Sequence, residues 1–265
     1  MNTLKLPNER TMPVLGLGTW DLRGEACFKA VETALRLGYR HIDTAEMYDN
    51  EDEIGKAILH SGVPREEIFI TTKVWTNHHH AADFKKAAEQ SLKRLKVQAV
   101  DLLLIHWPNP AVPLPETIGA LNQCAKDGKA LSIGVSNFSV AQMKDAVLLS
   151  SLPLACNQIP YSLASPNAGK DFLTWLKADG RPLKAALCAY SPLGRGSFLD
   201  RKELKEIGKK QGKTPAQVAL KWLIRQEGVA AIPKAAGEKH LRENLELFDF
   251  DLDQADLKLL AGLRN

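Results

Sequence analysis

Residues 83–106 read DFKKAAEQSLKRLKVQAVDLLLIH, and this stretch carries the unit from which the rest of the chain is built. Asp83–Leu95 spaces its apolar residues at helical intervals, whereas Val100–His106 is a short apolar run that ends in a histidine. The same pairing recurs on both sides. Short runs of this kind lie at Val14–Gly18, Tyr39–Asp43, Ile68–Lys73, Val100–His106, Ala130–Ser136, Leu154–Gln158, Lys184–Tyr190 and Val229–Lys234. Helical periodicity returns between them, for example at Cys27–Leu37, Glu116–Lys126 and Pro215–Arg225. Strands alternating with helices describe βαβ units on a parallel sheet, and continuous apolar runs predict that both sheet faces are covered.

Two observations predict that the sheet closes. The runs number eight, and from Gly16 to Lys234 the seven steps average about 31 residues, the size of a βαβ unit. The glycine fingerprint of an open dinucleotide-binding sheet is missing, because Gly16-Leu17-Gly18-Thr19-Trp20-Asp21 places Asp where the third glycine belongs. Ahead of the first run, Leu4–Leu6 and Met12–Val14 flank the polar turn Pro7-Asn8-Glu9-Arg10, which predicts a hairpin plugging the N-terminal mouth. The expected architecture is α/β, a (β/α)8 TIM barrel forming one domain over residues 1–265, with Thr214-Pro215 as an N-cap and first-turn pair.

Composition narrows the function classes. The 265 residues are 45% apolar and 25% charged, enough for a large core, and 35 Lys and Arg against 31 Asp and Glu leave a dispersed +4. A dispersed charge argues against nucleic acid or an anionic membrane surface as partner. The longest aliphatic stretches, such as Leu102–Ile105, are too short to span a bilayer, and Met1–Gly16 lacks a secretory h-region. The cytoplasm is therefore the expected address, and we separately expect a monomer with a small-molecule partner. Cys27, Cys124, Cys156 and Cys188 are widely separated with no C-x-x-C spacing, so they read as reduced thiols, and Cys156 and Cys188 fall in apolar runs that predict burial.

The runs share a further property, which is what ends them. In a parallel barrel, catalytic groups stand at the C-terminal strand ends. Here those ends carry Asp43, Lys73, His106, Ser136-Asn137, Asn157-Gln158, Tyr190-Ser191 and Lys234. Asp43 and Lys73, on neighbouring strands, are expected to pair, since a buried charge persists only with a partner. Tyr48 follows on the loop over the mouth, where the Lys73 ammonium would lower its phenol pKa and make it a general acid. His106 is placed to orient a substrate oxygen. A structural ion pair is the alternative reading of Asp43 and Lys73.

These residues lie in motifs that resemble one family. Gly16-Leu17-Gly18-Thr19-Trp20, Asp43-Thr44-Ala45-Glu46-Met47-Tyr48-Asp49-Asn50-Glu51, Thr72-Lys73-Val74-Trp75, Ile105-His106-Trp107-Pro108, Gly134-Val135-Ser136-Asn137-Phe138, Asn157-Gln158, Tyr190-Ser191-Pro192-Leu193-Gly194 and Ile232-Pro233-Lys234 resemble the aldo-keto reductases in order and spacing. The resemblance is strongest to bacterial members acting on 2,5-diketo-gluconate and small reactive aldehydes such as methylglyoxal. It implies a tetrad of Asp43, Tyr48, Lys73 and His106 with Tyr48 as proton donor, and NADPH-dependent reduction of aldehydes, dicarbonyls and some ketones. It further implies that Ser136, Asn137 and Gln158 hold a nicotinamide carboxamide, that Tyr190 stacks on the ring, and that the Ser191–Ser197 loop, with Leu193 and Gly194, covers the pyrophosphate. Lys234 would meet a ribose 2′-phosphate, with His240, Glu243 and Asn244 at the adenine end. Gly18, Thr19 and Trp20 would border the cofactor, and Trp20, Met47, Trp75 and Trp107 would wall the substrate pocket.

Two departures qualify the resemblance. Ala235 and His240 stand where the family commonly has a small hydroxyl residue and an arginine, so NADH use is more credible, although Lys234, Lys239 and Arg242 are expected to keep the region basic. The chain also stops at Asn265 without the long tail of many animal relatives, which implies little lid. Three other readings stay open on the residues alone. Lys73 or Lys234 could serve a Schiff-base aldolase, His78-His79-His80 could prompt a metal hydrolase although no metal is expected, and a recruited nucleotide-sensing subunit would bind without turnover.

Overall fold

The structure, a computed structural model, describes residues 2–178 and 185–263. Lys184, the expected start of the seventh run, lies outside the described residues. The elements in chain order are β1 (Thr3–Lys5), β2 (Thr11–Pro13), β3 (Leu17–Gly18), α1 (Gly24–Leu37), β4 (His41–Asp43), α2 (Glu51–Ser61), β5 (Phe69–Val74), α3 (Ala81–Leu95), β6 (Leu102–Ile105) and α4 (Leu114–Lys126). They continue as β7 (Ile133–Ser136), α5 (Val140–Leu149), β8 (Leu154–Pro160), α6 (Asn167–Lys177), β9 (Ala186–Tyr190), α7 (Lys202–Gln211), α8 (Pro215–Ile224), β10 (Val229–Ala231), α9 (Glu238–Leu245) and α10 (Gln254–Gly262).

Strands β3 to β10 pair in parallel in sequence order. The ends then meet: Leu15 bridges Ala231 in parallel, Ala231 N–H donates to Val14 O (2.8 Å), and Gly16 and Gly18 N–H donate to Ala231 O (2.9 Å) and Pro233 O (3.0 Å). The sheet is therefore a closed eight-stranded barrel. Its seam explains the glycines of the first run. A Cβ on Gly18 would lie 2.6 Å from Ile232 O, and one on Gly16 would lie 2.7 Å from His41 Nδ1. The G-x-G pattern here serves close strand approach rather than a phosphate loop.

Alternation along each strand divides the core in two. Ile42, Ile70, Val74, Leu103 and Ile105 face the helices, whereas Phe69, Leu102 and Leu104 face the axis. The hairpin closes the axial cluster from below. β1 and β2 pair antiparallel, Leu6 and Met12 bury among Phe69, Leu102, Leu104 and Ala230, and Asn8 Nδ2 ties the turn to Leu131 O and Ser132 Oγ at 3.0 Å each. With the bottom plugged, the polar groups at the other strand ends are left to face the mouth.

Thr214 caps α8 through a capping box with Gln217, with Pro215 in the first turn. The observed strands are shorter than the apolar runs. In the last run the strand stops at Ala231, because Pro233 has no N–H to extend the ladder, so Lys234 stands beyond the strand rather than on its end.

Candidate active site

Alternation on β4 and β5 sends Asp43 and Lys73 to the axis at adjacent strand ends, and both are essentially inaccessible. Lys73 Nζ donates to Asp43 Oδ1 (2.7 Å) and to Thr44 O (2.7 Å), and lies 3.4 Å from Tyr48 Oη. The second carboxylate oxygen of Asp43 accepts from Gln158 Nε2 at 2.7 Å. Burial by itself would lower the Lys73 pKa, but Asp43 and Tyr48 together hold it above the ordinary lysine value. The ammonium form of Lys73 is thus favoured over the free amine that a Schiff base needs, and Lys234 is an exposed lysine 3.6 Å from Asp21. Neither geometry favours the aldolase reading.

Tyr48 ends a single 3-10 turn, Glu46–Tyr48, closed by Asp49 at φ +53°. Its ring meets Trp20 edge-on at 4.9 Å and His106 at 5.6 Å. The expected depression of its pKa is not found. Burial raises the Tyr48 pKa above 10, and the opposing pull of the Lys73 ammonium does not overcome it. The group is a neutral phenol rather than a near-neutral acid. His106 is 5% exposed, and burial, reinforced by the charge of Lys73, pushes its pKa down to about 3, so the imidazole is uncharged. Its Nδ1 is buried without a protein partner.

Around this centre the predicted cofactor residues form a bonded chain. Tyr190 Oη donates to Asn137 Oδ1 (2.9 Å), Asn137 Nδ2 donates to His106 O and Ser136 Oγ (3.0 Å each), and Ser136 Oγ donates to Gln158 O (2.8 Å). Asn137 adopts φ +63°, which small polar side chains tolerate best after glycine. Ser191, Gly194, Arg195 and Gly196 all take positive φ, so the loop after β9 is a tight coil. Thr19 is different in kind: its Oγ1 donates to Asp43 O at 2.9 Å and is fully buried, so it braces the strand end. Trp20 and Trp107 are large exposed aromatics at the mouth, Trp75 packs edge-on against His106 at 5.0 Å, and Met47 is half-buried.

Lys234, Lys239 and Arg242, expected to keep the far end basic, each lie beside a carboxylate. Lys234 faces Asp21, Lys239 lies 3.9 Å from Glu243, and Arg242 and Arg36 both reach Glu238 at 2.8 Å. His240 Nδ1 lies 3.0 Å from Glu243 Oε2. Within α9 the acids lie one turn from the bases, whereas Lys234 meets Asp21 from the loop after β3 and Arg36 reaches Glu238 from α1. Asn244 is buried, and on the same helix Leu241 O accepts from Tyr39 Oη at 3.1 Å.

The three consecutive histidines diverge. His78 Nδ1 lies 2.7 Å from Glu46, His80 Nδ1 lies 3.2 Å from Glu116, and His79 is buried against Phe84. Among the described residues no three His, Cys, Asp or Glu side chains are grouped to hold a metal. All four cysteines are free and buried, and burial pushes the Cys27 and Cys124 thiols up to about 12 and about 11. Sequence reasoning passed over Asn50 and Glu46. Asn50 accepts from Thr44 Oγ1 (2.7 Å) and donates to Thr19 O and Leu22 O (2.9 Å each), fastening the mouth loops. Its position before Glu51-Asp52-Glu53 reads as a helix cap, which conceals this role.

The profile of the aldo/keto reductase family matches residues 14–265. Glyoxal reductase of Bacillus subtilis (strain 168) is 38% identical over 263 residues, covering 99% of this chain and 92% of that protein. Methylglyoxal reductase DkgB of Salmonella typhi is 38% identical over 256 residues, covering 96% and 93%. A crystal structure of an aldo-keto reductase complexed with NADPH superposes with a TM-score of 0.90 at 36% identity, covering 100% of this chain and 88% of its own. The chain belongs to the aldo/keto reductase family. It is accordingly an oxidoreductase.

Proposed function

We propose that the protein reduces small aldehydes and dicarbonyls to alcohols with NADPH. The observation that carries this reading is the Asp43–Lys73–Tyr48 chain ending at a neutral phenol beside a neutral His106. The cofactor residues fit on the chemistry of their donors. Ser136, Asn137 and Gln158 supply one hydroxyl and two carboxamides at one mouth, beside the half-buried Tyr190 ring, which suits an amide-bearing aromatic ring. A reduced nicotinamide held there supplies the hydride. The relatives named for glyoxal, methylglyoxal and NADPH support the substrate and cofactor classes.

In this reading the carbonyl oxygen sits between Tyr48 Oη and His106. Both groups are uncharged at rest, so their hydrogen bonds strengthen as negative charge grows on that oxygen. Tyr48 then releases its proton to the oxygen, and the Lys73 ammonium, itself fixed by Asp43, stabilises the phenolate left behind. Trp20, Trp75, Trp107 and Met47 exclude water from the reacting carbon. At the distal end Lys234 must exchange Asp21 for a 2′-phosphate, which leaves NADH usable as well.

Positioned proton transfer is worth roughly 10²- to 10⁴-fold. Tyr48→Phe is expected to lose at least about a hundredfold in kcat on methylglyoxal, with NADPH binding, read by tryptophan quenching, retained. Turnover within threefold of wild type would remove Tyr48 as donor. Activity unchanged by EDTA accompanies the same reading.

A further inference from the structure

We propose that Glu46 is a positioning residue that sets the width of the substrate mouth, by holding Trp75 at a fixed distance from the turn that carries Tyr48. The proposal rests on the carbonyl site described above. Glu46 opens the turn that Tyr48 closes, so both side chains spring from one three-residue turn. Its side chain is only 13% exposed, and its two oxygens are divided. Oε2 accepts the backbone N–H of Trp75 at 2.9 Å, and Oε1 lies 2.7 Å from His78 Nδ1.

The location gives this contact leverage. Strand β5 ends at Val74, and Trp75 is the first residue past the ladder, so the Glu46 carboxylate takes up the amide that the sheet no longer serves. The Trp75 indole then stands edge-on to His106 at 5.0 Å, and His106 stands 5.6 Å from Tyr48. Trp75 and Tyr48 are thus the two arms of one opening with His106 at its apex, and Glu46 is the tie between their backbones.

The rest of the loop has other anchors. Asn109 Nδ2 donates to Thr76 O at 2.9 Å and Thr117 Oγ1 donates to His79 O at 3.2 Å. Glu46→Ala therefore removes the tie to the Tyr48 turn and leaves the loop's remaining attachments in place. Glu46→Gln keeps a carbonyl oxygen for the Trp75 amide and removes the carboxylate charge that lies beside His78. The two variants thus separate the tie from the negative charge.

The test uses the full chain with NADPH and methylglyoxal. Loss of a wall contact shared by ground and transition states raises KM and spares kcat, so Glu46→Ala is expected to raise KM about tenfold with kcat within about threefold. Glu46→Gln is expected to restore both to within about twofold of wild type. In the cofactor-free protein, Glu46→Ala should also shift tryptophan emission to the red and increase acrylamide quenching, and both differences should vanish in a Trp75→Phe background. Unchanged KM and quenching in Glu46→Ala, or equal losses in the Gln and Ala variants, would overturn the proposal. If wild type reduces no carbonyl, the functional reading fails by itself, and the quenching comparison still decides whether Glu46 holds Trp75.

Discussion

Three titratable side chains at the mouth are drawn away from water to different extents and respond in different ways. Burial favours the neutral form of Tyr48 and of His106, whereas Lys73 keeps its charge because Asp43 lies 2.7 Å away. The site at rest thus holds one compensated ion pair and two neutral hydrogen-bonding groups, an arrangement suited to meeting a charge that appears only during reaction. The low His106 pKa has a consequence for stability. Its folded value of about 3 lies below the ordinary 6.5, so between those limits the unfolded chain binds a proton that the folded chain refuses. The stabilisation is present above pH 6.5 and declines as pH falls toward 3. Comparing urea midpoints at pH 6 and pH 4, wild type should lose roughly 1.4 kcal/mol more per pH unit than His106→Gln, in which every other titrating group is retained. Parallel pH dependences would show that the imidazole is not buried as described.

At the scale of elements, the barrel depends on a seam made by its shortest axial strand. β3 has two residues, and its approach to Ile232 leaves no room for a side chain at Gly18. Gly18→Ala would set a methyl 2.6 Å from a backbone oxygen that cannot rotate away, so the strand must shift. The expected loss is about 1–3 kcal/mol by urea denaturation. Gly119→Ala, in the middle of α4 with nothing within 4 Å, should instead gain up to about 1 kcal/mol. Equal effects at the two positions would mean that the seam is looser than its hydrogen bonds indicate. The alternation that placed β3 to β10 was legible because period-two and period-3.6 burial are written into the residues themselves. The strand-end positions of Asp43, Lys73 and His106 followed from the same rule. The Tyr48 pKa did not, since it turns on whether burial or the Lys73 charge prevails, a balance that depends on three-dimensional distances. Nor did the ion pairing at α9, where Arg36 reaches Glu238 across 202 residues of sequence.

For the molecule as a whole, the hairpin seals one end of the barrel, and the other end presents the Tyr190–Asn137–Ser136–Gln158 chain and, at the rim, Lys234 held by Asp21. A dinucleotide spanning that face would touch loops after several strands at once, and ligand bound only by the folded form stabilises all of it by mass action. At a hundred times Kd the gain is about 2.7 kcal/mol, which for a chain of this size raises Tm by roughly 5–10 °C. NADPH is therefore expected to produce a shift of that order in differential scanning fluorimetry. NADH should produce a measurable shift as well, because Lys234 already has a carboxylate partner that a 2′-phosphate must displace, and that exchange takes back part of the attraction. The difference between the two shifts should narrow as salt rises from 0.05 to 0.5 M, since an exposed phosphate–lysine contact is screened. No shift with either dinucleotide would contradict the cofactor reading directly, without any assay of turnover.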